Sequence, residues 1–111
     1  MKLFIDTTKN TKAIVRVGKI EIIKTYESPR GQDVLLLVEE TLKKANVEKN
    51  KLTEIKVNPG PGSFTSTRVG VAVANALGFA LKIPVNGQEP GEFVKPVYDK
   101  PPFITQPKRK V

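Results

Sequence analysis

Val69-Gly70-Val71-Ala72-Val73-Ala74-Asn75-Ala76-Leu77-Gly78-Phe79-Ala80-Leu81 contains a single polar residue, Asn75. Wound as a helix, this run is apolar around nearly its whole circumference, so it has to be covered on nearly every side. Two rows of small residues follow it at i, i+4, i+8: Gly70, Ala74 and Gly78, and almost opposite them Ala72, Ala76 and Ala80. Small rows allow close backbone approach on both sides. Two interior glycines cost roughly 1 kcal/mol each relative to alanine, which tight packing has to offset. A membrane-crossing helix needs about 20 apolar residues. This run is shorter and is closed by Lys82 and Pro84, so no membrane is expected. The run could be absorbed by a sheet on one side and a second helix on the other, but a short chain has little with which to cover it. The favoured reading is that a partner docks on it, using Leu35, Leu36, Val69, Ala72, Val73, Ala76, Phe79 and Ala80.

Immediately before the helix stands Asn58-Pro59-Gly60-Pro61-Gly62-Ser63-Phe64-Thr65. Glycines and hydroxyls between a strand and a helix start have the general form of an anion site, with Gly60, Gly62, Ser63 and Thr65 as its candidates. There is no Gly-Lys-Ser/Thr, so this is not a P-loop. Ser63 or Thr65 acting as an ordinary N-cap accounts for the hydroxyls equally well, and that reading is preferred.

Towards the N-terminus, residues 32–46 place Val34, Leu35, Val38, Leu42 and Ala45 at helical spacing, with Glu39, Glu40, Lys43 and Lys44 opposite. Leu36 and Leu37 widen that apolar stripe beyond one contact face, which points to a second contact surface. The turn Ser28-Pro29-Arg30-Gly31 precedes this first helix. Short apolar runs at 2–7, 12–17 and 20–26, the last two joined by Gly18-Lys19, read as a three-stranded antiparallel meander. Ile55-Lys56-Val57 supplies a further strand and Val85-Asn86 a last one. The fold class expected is α/β: a mixed sheet of about five strands, the meander plus parallel strands, with two main helices.

With 111 residues and 39% hydrophobic content the chain supports one core. Residues 1–88 form that unit. Five of the nine prolines fall in the last 25 residues, so 89–111 is expected as a Pro-rich basic tail, extended over the body or trailing free. There is no cysteine and no histidine, which excludes disulfides, thiolate chemistry and histidine-based nucleophilic machinery. No catalytic residue is assigned and no cofactor is expected. Asp6, at the end of the first strand, has no second acid nearby in sequence with which to hold a metal, so no metal is expected either. An acid at position 6 also interrupts any signal-peptide core, and a cytoplasmic location is expected. The net charge of +8 makes RNA a conceivable partner through Lys108, Arg109 and Lys110, although the remaining lysines are scattered.

The run from Asn58 to Gly70, the small-residue helix and Ile83-Pro84-Val85 together closely resemble the most characteristic segment of the TsaB (YeaZ) family. Leu3-Phe4-Ile5-Asp6-Thr7-Thr8 resembles that family's first strand, so the likeness covers residues 1 to about 88. It implies an actin-like ATPase lobe of the ribonuclease H type. It further implies a non-catalytic relative of TsaD, the subunit that transfers the threonylcarbamoyl group to tRNA. On this resemblance the chain binds a TsaD-like transferase through its two helices, forms a homodimer when alone, and meets tRNA only through the complex. Ser66 stands where the family usually has glycine. The family's second domain is expected to be missing, because 88–93 leads directly to Val94-Lys95-Pro96-Val97-Tyr98-Asp99-Lys100-Pro101-Pro102, which resembles the C-terminal signature of full-length members. A small nucleotide-binding hydrolase built on Asp6 and the Gly60 to Thr65 turn is the enzymatic alternative, and a basic RNA-binding accessory protein is the third reading.

Overall fold

The computed structural model describes residues 1–9, 11–26 and 33–97. The expected turn at 28–31, Tyr98 and the basic tail with Lys108, Arg109 and Lys110 lie outside them. Elements follow in the order β1 (Lys2–Lys9), β2 (Lys12–Val17), β3 (Ile20–Thr25), α1 (Val34–Ala45), β4 (Glu54–Val57) and α2 (Phe64–Leu81), with one 3-10 turn at Lys49–Lys51.

Strict alternation decides the sheet. In β1, Leu3, Ile5 and Thr7 are buried while Lys2, Phe4, Asp6 and Thr8 point to the other face. Ala13, Val15 and Val17 of β2 and Ile55 and Val57 of β4 join the buried side. The sheet order is β3-β2-β1-β4. β1 pairs antiparallel with β2 (Ile5 opposite Val15) and parallel with β4 (Ile5 opposite Val57). The β2–β3 connection turns on Gly18, whose φ of +60° is cheap only for glycine.

Both helices lie on the buried face of the sheet, α1 over β2 and β3 and α2 over β1 and β4, and they touch each other. Asp33 caps α1, its Oδ1 accepting the Leu36 N–H at 3.0 Å, and Asn46 closes it in the left-handed conformation (φ 57°). Val34, Leu37, Val38 and Leu42 enter the core. Leu37 is therefore a core residue, and the residues that widen the apolar stripe outward are Leu35 and Leu36. Fully burying one such side chain is worth about 1.5–3 kcal/mol.

One expected strand is reduced. Val85 makes only isolated bridges, parallel to Ile55 and antiparallel to Gln88, so the sheet has four strands among the described residues. The reason is local: Asn86 (φ 51°) and Gly87 (φ 80°) turn the chain back. The Asn86 side-chain amide then does the work of a ladder, accepting the Val57 N–H at 2.8 Å and donating to the Val57 carbonyl at 2.9 Å.

By length and composition α2, with 18 residues, is apolar enough to cross a membrane. One side of it packs within the fold: Ser66, Thr67, Gly70, Val71, Ala74 and Gly78 are buried, a third of its 18 residues.

Candidate functional site: the outward face of the helices

The two small-residue rows of α2 have separate fates. Gly70, Ala74 and Gly78 are buried. A Cβ built on Gly70 would fall on Thr7 Oγ1, and one on Gly78 would fall on Val85 Cγ2, so both positions need the bare backbone. Ala72, Ala76 and Ala80 on the opposite side are exposed, and Phe79 beside them is 63% exposed. Val69 and Val73 are half-buried and pack against the core on the flank between these rows. On α1, Leu35 is 48% and Leu36 51% exposed. Thus six of the eight residues assigned to a partner interface stand at the surface and two form its edge. Arg68 sits 5.0 Å over the Phe64 ring at the start of the α2 ridge.

Residues 92–97 form an extended strap along the other flank of α2. Asn75, the lone polar residue of the helix interior, holds it: its Nδ2 donates to the Val94 carbonyl at 2.9 Å, and its Oδ1 accepts the Val94 N–H at 3.0 Å. Further along, the Val97 N–H donates to the Pro59 carbonyl. Phe93 stands edge-on to Phe79, ring centres 6.4 Å apart, and is itself 57% exposed. A lone Asn in an apolar helix was the signal for the latch, but nothing in the sequence pairs it with Val94, nineteen residues away. Asn75→Ala is expected to release the strap at a cost of about 1–2 kcal/mol, one neutral hydrogen bond contributing about 0.5–1.5. Limited chymotrypsin digestion should then cut after Phe93, at the bond to Val94, faster than in the wild type.

The second cluster joins β1 to the loop before α2. Asp6 Oδ1 accepts the Thr8 N–H at 3.0 Å and the Thr8 hydroxyl at 2.8 Å, and Oδ2 accepts Asn58 Nδ2 at 3.1 Å. Burial pushes the Asp6 carboxyl pKa up. The bonds from Thr8 and Asn58, with the charge of Lys9, outweigh that and hold it below the ordinary 3.8. The stability it contributes is therefore complete above about pH 3.8 and is lost as pH falls through the lower folded value. Asp6→Asn should destabilise the protein by about 1 kcal/mol at pH 7. In urea titrations its deficit against the wild type should shrink below pH 3.8.

Of the anion-site candidates, Gly62 packs tightly: an added Cβ would lie 2.6 Å from Thr8 Cβ and 2.7 Å from Thr67 Oγ1. The Gly60 N–H is taken by Asn58 Oδ1 (3.1 Å) and the Ser63 N–H by the Thr8 carbonyl (2.8 Å), and prolines 59 and 61 have none to offer. Ser63 is the N-cap of α2 by position, yet its side chain makes no cap bond, and Thr65 is exposed in the first turn. The Gly60–Pro61 peptide is cis. Ser66 is fully buried and its carbonyl accepts the Thr7 hydroxyl at 2.7 Å. Ser66 Oγ and Thr67 Oγ1 have no partner among the described residues.

Comparison with known proteins turns this arrangement into a kinship. The family described as "TsaD: tRNA N6-adenosine threonylcarbamoyltransferase" matches residues 31–87, which hold α1, β4, the loop and α2. The chain belongs to this family, on its TsaB (YeaZ) branch. The TsaB protein of Bacillus subtilis is 27% identical over 87% of this chain and 49% of its own length. The threonylcarbamoyltransferase of Anoxybacillus flavithermus is 41% identical over 50% of this chain, but only 16% of the enzyme is covered. YeaZ from Pseudomonas aeruginosa superposes with a TM-score of 0.62 at 28% identity, covering 76% of this chain and 42% of that one. The fold is accordingly the actin-like lobe of YeaZ proteins, with four strands among the described residues where about five were expected. The chain spans about half the length or less of the TsaB and transferase relatives it matches.

Proposed function

We propose that this TsaB-family chain is a non-catalytic docking subunit. It binds a TsaD-like transferase through the outward faces of α1 and α2, and so supports threonylcarbamoyladenosine formation on tRNA in the cytoplasm. One observation carries the reading: α2 commits one small-residue row to the core and presents the other, with Phe79, to the outside. An apolar ridge on an otherwise well-packed helix marks a protein-binding surface, because leaving it in water forfeits about 25 cal/mol per Å². The pathway comes from the names of the relatives, biosynthesis proteins for the tRNA modification and the transferase itself.

The absence of catalysis has a chemical basis in the chain. Without histidine or cysteine, proton transfer would fall to carboxylates or lysines. Asp6, the carboxylate beside the glycine-rich loop, accepts three hydrogen bonds and has its pKa held below the ordinary 3.8, which makes it a weak base near neutrality.

Calorimetric titration of the chain with the transferase of the same organism tests the proposal. A one-to-one isotherm with a negative heat-capacity change, the mark of apolar burial, is expected. An absence of heat at every temperature tried, with no co-elution at micromolar concentration, contradicts it.

A further inference from the structure

Lysines scattered along the sequence are gathered by the fold on the sheet face turned away from the helices. There Phe4 of β1 stands opposite Arg16 of β2 on one side and Lys56 of β4 on the other. Residues directly opposite in a sheet share a face, so the Phe4 ring lies between two cations. The Arg16 guanidinium carbon is 4.6 Å from the ring centre, within cation–π range. Lys2, Leu3, Phe4, Arg16, Gly18 and Lys56 line one open pocket of about 360 Å³. It lies at the start of β1, whereas the glycine-rich loop meets the far end of that strand, the Ser63 N–H donating to the Thr8 carbonyl. Two acids border the pocket and both are engaged: Glu54 meets Lys2 at 3.4 Å and Glu21 meets Arg16 at 2.9 Å. Asp6, further along the same face, accepts hydrogen bonds from Thr8 and Asn58. Exposed Lys56 has no acid within ion-pair distance among the described residues, so the positive surplus of the pocket falls beside the ring.

We propose that this pocket takes a nucleotide unit of a single RNA strand, its phosphate at Lys56 and Lys2 and its base against the Phe4–Arg16 pair. Phosphates reward clustered cations by releasing counterions. The Lys2 ammonium has three donors, so its contact with Glu54 leaves it able to serve a phosphate as well. Bases stack on aromatic rings and on guanidinium planes, and the row presents both together. An acidic peptide would answer the cations and leave the ring between them idle. The choice of RNA rests on the pathway proposed above, since the relatives are named for tRNA modification. The pocket itself is on the opposite side of the sheet from the docking helices and does not depend on them.

The test uses the full chain without the transferase, so a failure of docking leaves it untouched. The probes are an oligoadenylate of about eight nucleotides, inside the usual single-strand site size of about 4–16, and AMP. Titration of the isotope-labelled wild type with the strand is expected to move the amide resonances of Leu3, Phe4, Gly18 and Lys56 first, a reading that needs no variant. Lys56→Glu should weaken strand binding about tenfold at about 0.15 M salt, where charges more than about 8 Å away are largely screened. Lys43→Glu makes the same change of net charge on α1 and should cost about twofold or less. Phe4→Leu keeps an apolar side chain but removes the ring, and should cost about fivefold through the lost stack. Equal losses for Lys56→Glu and Lys43→Glu overturn the inference, because binding would then follow overall charge. Shifts that bypass the four amides, or no binding at millimolar strand, overturn it too. If AMP saturates the same amides as tightly as the strand does, the pocket stands as a nucleotide site and RNA as its source is overturned.

Discussion

Gly70→Ala is expected to lower the unfolding free energy by about 2–3 kcal/mol, within the range for overpacking a tight core. On helix propensity alone the same change should stabilise by nearly 1 kcal/mol. The sign reverses because the new Cβ would fall on Thr7 Oγ1 and lie 3.1 Å from Thr7 Cβ. Thr7 has nowhere to go: it is 1% exposed, and its hydroxyl donates to the Ser66 carbonyl at 2.7 Å. Either the helix lifts from β1 or that bond is lost. Ala72→Gly, on the exposed side of the same helix, provides the contrast and should cost only the intrinsic difference of about 1 kcal/mol. Urea denaturation of both variants reads the two numbers directly. A Gly70→Ala protein as stable as the wild type would show that α2 does not seat on β1 as described.

Ala76→Arg carries the largest expected effect on binding, a loss of at least about 100-fold in affinity for the transferase, close to 2.7 kcal/mol. Ala76 lies at the centre of the exposed row, four residues from both Ala72 and Ala80. An arginine there fills the furrow and brings a charge that docking would have to bury without a counter-ion. The fold should not notice, because surface substitutions away from packed features change stability by about 0.5 kcal/mol or less. Equal unfolding midpoints with unequal affinities are therefore the expected pair of results. Wild-type affinity in the Ala76→Arg protein would remove the outward face of α2 from the interface.

Much of this was legible before any coordinates. Alternation in β1 and β2, the glycine at the first turn position, and the double row of small residues each express a period that backbone geometry imposes, so the meander and both helices followed from the sequence. The same rows located the two sides of α2, although periodicity does not say which row meets the core. That is settled by tertiary shape, through the fit of Thr7 against Gly70 and of Val85 against Gly78. Leu37 illustrates the limit: in Leu35-Leu36-Leu37 hydrophobicity is uniform, and only the direction of the helix axis sends Leu37 inward and its neighbours out. The reduced fifth strand has a local cause, the left-handed turn at Asn86 and Gly87. The Asn75 latch has a distant one: its amide pairs with the Val94 backbone nineteen residues away, a long-range match that no local pattern encodes.

Sedimentation velocity of an equimolar mixture with the transferase, at about 10 μM and moderate salt, is the most direct test of the docking role. The account predicts one boundary whose mass is the sum of the two chains, reverting to two separate boundaries with Ala76→Arg. Two independent boundaries for the wild-type pair would contradict it.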